Sequence, residues 1–270
     1  RRAALSYSLD GGAHWTSFGA TAAPGVIGRI VTVPGVSRAA LLDRRNAFEV
    51  ELAHAAMALT SADRGALDAG ANLALVGDEL LQFGAAEQIG ATRWRLSGLW
   101  RGRRASEARI GTQLAGDRFV LIEPESALSL DLPLSAVGGE VRILASGIGD
   151  TAGPVAMRVP VAGTAILPPS PVGLRGSEVG NGDVAVRWIR RSRTGWRWID
   201  GVDAPLGEER EAYRITLLRD DGSARTIETA SPALLVTAAE RAGGVMLSVR
   251  QIGALGESAA VAIRLPDWTM

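Results

Sequence analysis

Hydrophobic and polar positions alternate in short runs along most of this chain. Phe48, Val50 and Leu52 alternate with polar neighbours, which predicts a strand with one buried face. Near the start, Leu5, Tyr7 and Leu9 alternate, Asp10-Gly11-Gly12 supplies a turn and Trp15 begins the return, so a hairpin is predicted. From 47 to 120 the pattern is strand, turn, strand. Ala71-Asn72 precedes LALV, Gly77-Asp78 precedes ELLQFGAAEQI, and Gly116-Asp117 opens RFVLIEP. Ile89-Gly90-Ala91-Thr92 turns into RWRLSGLW, with Trp94 and Leu96 on one face. Arg101-Gly102-Arg103-Arg104 leads into SEARIGTQLAG, read as a short helix or an irregular loop. Further strands are predicted at ALSLDLP, EVRILAS and VAMRVPV. Runs this short, bounded by Gly, Pro or Asp, predict an all-β fold built as a barrel or sandwich.

Residues 163–171, GTAILPPSP, interrupt this pattern; Pro168, Pro169 and Pro171 favour extended backbone and stop helix. The expected division is 1–165, a β-rich domain whose residues 1–40 can stand apart as a hairpin region, and 166–270. The second part has about 100 residues, the size of an immunoglobulin-like sandwich. Val184, Val186 and Trp188 face inward from one predicted strand, and Tyr213, Ile215 and Leu217 share a face of another. PPSPVGLRGSEV, GDVAVRW, EAYRITLLRDDG, VMLSVRQIGALGES and AAVAIRL resemble, in order, strands of a fibronectin type III domain. The resemblance covers nearly all of 168–266 and departs from the family at 189–212, where such domains have a short loop.

That insertion concentrates unusual chemistry. Trp188, Trp196 and Trp198 stand among Arg187, Arg190, Arg191, Arg193 and Arg197, followed by Glu208, Glu209 and Glu211. Guanidinium forks bind carboxylates in pairs and stack on indole faces. Two readings follow. In one, Arg190, Arg191, Arg193, Trp196, Arg197 and Trp198 form a surface that holds a partner protein or a glycan. In the other, the glutamates neutralise the arginines and the tryptophans cover the domain's own core.

Composition narrows the function classes. The 47% hydrophobic content of these 270 residues excludes a disordered chain. No run of about 18 apolar residues exists, so no membrane span is expected. Net charge is zero, so no overall field steers the chain to nucleic acid. Cysteine is absent, which excludes disulfides and thiolate metal sites. All 29 basic residues are arginine. The Arg1-Arg2-Ala3 start, without an initiator Met or a signal-like segment, reads as a fragment of something longer.

Catalytic signals are weak. His14 lies beside the hairpin and His54 in an Ala-rich stretch. No G-x-S-x-G elbow, D-x-D-x-D-G loop or glycine-rich phosphate loop is found. Asp78-Glu79 is an acidic pair, but adjacent strand residues point to opposite faces. The sequence therefore predicts no enzyme, no catalytic residue, no metal site and no cofactor. Ser8-x-Asp10-x-Gly12-x-x-Trp15 resembles the Asp-box of sialidases and related propellers, a folding device in which the Asp caps a turn and the Trp packs beneath it. A single copy predicts a hairpin and not a propeller.

The two halves together resemble a narrower family. ANLALVGDELLQFG, RLSGLWRGRR and GDRFVLI, followed by VRWIRRSR, a Trp and PLGEEREAY, resemble the carboxy-terminal part of the baseplate hub, or tail-tip protein, of gene transfer agents and siphophage-like prophages of alphaproteobacteria. The resemblance covers most of the chain in the family's order. It implies a structural module of a tail particle, assembled in the bacterial cytoplasm, whose partners are other hub subunits and a cell-surface glycan. Where the family's pattern has Gly-Thr-Glu and a later His, this chain has Ala105-Ser106-Glu107 and Gln113. The hydrolase-like barrel of full-length members lies upstream of this stretch, and no activity is carried over. A carbohydrate-binding module, free-standing or attached to a glycosidase, is the alternative, with Trp196 and Trp198 stacking on sugar rings. Nucleic-acid binding is the weakest reading, because the nearby glutamates cancel the arginine charge.

Overall fold

The computed structural model describes residues 2–147, 149, 151–193 and 205–265. The chain divides into two compact units, Arg1–Gly163 and Thr164–Met270. Both are β-structures, as the short alternating runs predict.

The first unit holds, in chain order, β1 (Ala3–Ser8), β2 (Thr16–Ala20), β3 (Ile27–Thr32), β4 (Leu42–Leu52), β5 (Leu73–Val76), β6 (Glu79–Gln88), β7 (Arg93–Trp100), β8 (Arg118–Leu121), β9 (Glu140–Gly147) and β10 (Val155–Pro160). Strands β3-β4-β7-β6-β5-β8 close into an antiparallel barrel. The pleat sends every second side chain inward. Phe48, Val50 and Leu52, Ala74 and Val76, Leu81 and Phe83, Trp94 and Leu96, and Phe119 and Leu121 therefore fill one core. Gly98, at φ +64°, switches the phase of β7: Leu99 turns inward opposite Phe83 and Trp100 ends outside the core. Gly28 lies where β3 presses on β4, and a Cβ there would collide with the Glu51 carbonyl.

The remaining strands form a sheet in the order β10-β9-β1-β2. Its β1–β2 hairpin has the predicted turn. Ser8 Oγ accepts from Gly12 N at 2.9 Å, and Asp10 Oδ1 accepts from His14 N at 3.0 Å. The His14 amide, with Ser8 and the His14 ring, holds the Asp10 carboxyl well below the usual range. The Trp15 ring lies against Gly12. ALSLDLP is not a strand. Its alternation is real, but 127–133 pairs with no sheet edge, and Leu128 is exposed. The segment after Arg101 is an irregular loop with two short 3-10 turns, Arg103–Ala105 and Glu107–Arg109. One helix, α1 (Arg64–Asp68), is capped by Asp63 accepting from Ala66 N.

The second unit holds β11 (Val172–Gly180), β12 (Asp183–Ile189), β13 (Tyr213–Arg219), β14 (Ala224–Thr229), β15 (Ala233–Val236), β16 (Val245–Gly253), β17 (Gly256–Glu257) and β18 (Val261–Leu265). One sheet is β11-β12-β15; the other runs β14-β13-β16 with β18 on β16 and the short β17 at its end. Both sheets contribute to one core of Val184, Val186 and Trp188 from β12, Val236 from β15, Tyr213, Ile215 and Leu217 from β13, and Val245, Leu247 and Val249 from β16. Three strands facing four in this order, with the two-residue β17 as a fifth at the sheet's end, is the fibronectin type III-like arrangement of an immunoglobulin-type sandwich.

Candidate interaction surface

The insertion joins β12 to β13, so it leaves the sandwich at one end and returns there. Its two limbs are tied to each other and to the core. Trp188, 4% exposed, meets Tyr213 edge-on with ring centroids 5.2 Å apart. The Tyr213 hydroxyl donates to Glu211 Oε1 at 2.6 Å, and Arg190 Nε lies 3.8 Å from Glu211 Oε2. Arg193 Nε donates to Glu208 Oε1 at 2.8 Å and to the Gly207 carbonyl at 3.0 Å. The Glu208 side chain is nearly buried, and its other oxygen accepts from Ala254 N at 3.2 Å. Gly253 allows this approach: a Cβ there would fall 2.7 Å from Glu208 Oε2.

Of the predicted site residues, Arg190 and Arg193 thus brace the base of the insertion with glutamates from its returning limb. Arg191 is half-buried. Trp196, Arg197 and Trp198 lie outside the described residues. Glu209, expected as a third arginine partner, instead lines a shallow cleft with Arg210, Ile252, Gly253 and Ala254. At ≈ 220 Å³ it is smaller than the usual small-molecule site of about 300 Å³ or more.

Burial, and then the hydrogen bond to the Glu211 carboxylate, push the Tyr213 hydroxyl well above its ordinary value of 10.0. The neutral phenol is therefore the form that folding favours. Its contribution to stability is complete below about pH 10 and is lost as pH rises through the window between the unfolded and folded values. The chain has no lysine or cysteine, and Tyr213 is the one tyrosine of the second unit. The sandwich is expected to lose stability steeply above pH 10, and Tyr213→Phe to flatten that loss, read by denaturant titration at pH 8 and pH 11. An unchanged slope in the variant would refute the assignment.

The barrel holds a polar cluster that sequence reasoning missed. Glu79 heads β6 on the same side as Leu81 and Phe83 and is fully buried. Arg101, just past β7, points into the same barrel end and is also buried. Its Nε and Nη2 donate to the two Glu79 oxygens at 2.8 Å each, and its Nη1 donates to the Gly35 carbonyl at 2.7 Å. Gly102 N and Gln113 Nε2 complete the Glu79 shell at 2.9 Å each. Asp43 Oδ2 lies 3.6 Å from Arg101. Hydrogen bonds from Asn46 and from the Arg45 amide hold its carboxyl low although desolvation opposes them. The available signal was register: Glu79 falls on the apolar phase of its strand. Asp78, on the opposite face, pairs at the surface with Arg118 at 2.8 Å.

Each histidine has a local task. His14 Nδ1 lies 2.6 Å from Asp10 Oδ2, and His54 Nδ1 accepts from Ala56 N at 3.0 Å. Among the described residues, no group of three His, Asp or Glu side chains converges to hold a metal ion, and no helix is long and apolar enough to cross a membrane.

Residues 25–120 match the family model described as Rcc01698-like, C-terminal. The match spans barrel strands β3 to β7 and most of β8. No curated protein sequence matches the chain. Among solved structures, the chain is similar to a segment of two fibronectin type III domains from chicken tenascin, at 11% identity, covering 88% of this chain and 98% of that one, with a TM-score of 0.28. It is also similar to domains d3–d4 of the rat CD45 extracellular region, at 10% identity over 53% of this chain and 72% of that one, with a TM-score of 0.30. A third is titin domains A168–A170, at 10% identity over 97% and 74%, with a TM-score of 0.27. The fibronectin type III-like assignment rests on the strand order of the second unit.

Proposed function

We propose that this chain is a non-enzymatic structural module of a phage or gene-transfer-agent tail tip, or baseplate hub, that takes part in tail assembly and host-surface attachment. The observation that carries the reading is the coincidence of two signals on the barrel. The segments ANLALVGDELLQFG, RLSGLWRGRR and GDRFVLI, through which the chain resembles tail-tip proteins, build β5 to β8; the first two lie within the stretch matched by the Rcc01698-like model, and the third runs two residues past its end. A rigid sandwich with a long braced insertion suits such a role, since loops carried on a rigid scaffold are where β-domains bind partners. Tryptophan and arginine are the residue types enriched at binding hot spots. The partner expected at the insertion is a neighbouring hub subunit or a cell-surface glycan.

The test is made on particles. Mass spectrometry of purified tail particles should find the chain among the tail proteins. Trp196→Ala with Trp198→Ala should keep the far-ultraviolet dichroism of the isolated chain while particle yield or adsorption falls. A chain absent from particles and bound to neutral polysaccharide would support the carbohydrate-binding module instead. A double variant that simply unfolds would make the insertion part of the core.

A further inference from the structure

The four-stranded sheet of the first unit ends on β10, and no role so far uses that edge. Val155 is 71% exposed and Met157 53%. With Val159 they share a face with Val141, Ile143 and Ala145 of β9, and the register carries that face on to Leu5 and Tyr7 of β1. The opposite face of β10 shows Ala156 and Arg158, the latter with 66% of its side chain exposed. Among the described residues, β10 pairs with β9 alone, so its outer edge is open.

Backbone bonds to β9 fall on the odd-numbered residues. Val161 N donates to the Gly139 carbonyl at 2.9 Å, and the register from Val155↔Ala145 to Pro160↔Glu140 is unbroken, so Val159, Met157 and Val155 bond the same way. The N–H and C=O groups of Ala156 and Arg158 therefore point away from the sheet. Pro154 and Pro160, in the same phase, have no N–H to offer. An edge with unpaired backbone groups is a template for another strand, which prolines and charges ordinarily blunt. Here the prolines stand at the two ends. The one charge, Arg158, lies on the opposite face from Val155 and Met157, so the middle of the strand stays open.

We propose that β10 pairs antiparallel with β10 of a second copy of this chain, about a twofold axis at Met157. The strand is its own complement in that register. Met157 faces Met157 of the second copy, Val155 faces Val159, and Ala156 faces Arg158, so no like charges stand opposite one another. Ala156 and Arg158 exchange both backbone bonds on either side of the axis, which uses every outward donor of the strand. Pro154 falls opposite Pro160, where no N–H is left without an acceptor. Centring the axis on Arg158 instead would set two guanidinium groups against each other. The far edge of the sheet, β2, suits pairing less: its ladder with β1 shifts register between Leu5 and Ser6, and Gly19 sits at φ +126°. An isologous contact closes on itself and gives a dimer, not a fibre. This pairing does not depend on the tail-tip reading, and loss of either leaves the other standing.

One strand pair covers far less than the about 1,200 Å² of a standard interface, so the dimer should be weak. Sedimentation equilibrium of the full chain between about 10 μM and about 1 mM should show the weight-average mass rising from monomer toward dimer. Met157→Asp sets two carboxylates opposite one another and should hold the chain at monomer. It should keep the wild-type far-ultraviolet dichroism, because the Met157 side chain is exposed. The register is read by cross-linking, for which the cysteine-free chain is suited. Cα atoms of a non-hydrogen-bonded pair lie about 4.5 Å apart, within disulfide reach. With diamide as oxidant, Met157→Cys should therefore form a covalent dimer at least ~10-fold faster than Val155→Cys, although Val155 is the more exposed. An equimolar mixture of Val155→Cys and Val159→Cys chains should give mainly the mixed disulfide. A chain that stays monomeric to about 1 mM, Met157→Cys linking no faster than Val155→Cys, or a dimer that Met157→Asp leaves intact would overturn the proposal.

Discussion

Glu79→Ala is expected to unfold the barrel more readily than any other single polar change in the chain, by about 3–5 kcal/mol. The reason is what the substitution leaves behind. Arg101 keeps its charge at 0% side-chain exposure, with Asp43 at 3.6 Å as its remaining ionic neighbour. Gly102 N and Gln113 Nε2 lose the acceptor they meet at 2.9 Å. A stranded buried charge costs far more than the pair contributes when intact. Replacing both partners, Glu79→Leu with Arg101→Leu, should therefore be milder than the single change. Hydrogen exchange of the β6 and β7 amides under urea reads the barrel separately from the other unit. Protection in Glu79→Ala within about 0.5 kcal/mol of wild type would show that solvent reaches the cluster. Because Glu79 also holds Gly102 N, the same variant should loosen the loop that follows Arg101.

Trp188→Ala should cost the sandwich about 3–5 kcal/mol, the scale of a large aromatic truncation in a packed core. The indole is 4% exposed, lies in one cluster with Val186 and Tyr213, and meets the Tyr213 ring edge-on at 5.2 Å. Its loss opens a cavity and removes the partner that orients Tyr213, whose hydroxyl anchors Glu211 and through it Arg190. The damage should reach the base of the insertion, with lowered protection of the 205–212 amides as well as those of β12 and β13. An effect within about 0.5 kcal/mol would place the side chain on the wrong face.

Alternation along the chain decided which side chains face inward. Phe48, Val50 and Leu52, and Val184, Val186 and Trp188, are buried as their spacing predicts, because the pleat is a local property of extended backbone. The acid–base complementarity of the insertion was legible for a similar reason, since Arg190, Arg193, Glu208 and Glu211 lie within one excursion. Other features depended on residues far apart in sequence. ALSLDLP has a strand's alternation, but a ladder needs a neighbouring edge and none meets it. Strands β14 and β15 were not anticipated; each is defined by its pairing with β13 or β12. Glu79 could be placed inward from its register, yet its partner Arg101 is 22 residues away and meets it only when the barrel closes. The same closure brings Arg64 and Arg103 to Trp100. The two-residue period of the pleat let the sequence alone set the inward faces of strands such as β4 and β12. Tertiary structure decided which edges pair, which charges are buried together and which arginines share an indole, because those energies arise only when distant segments exclude water from one another.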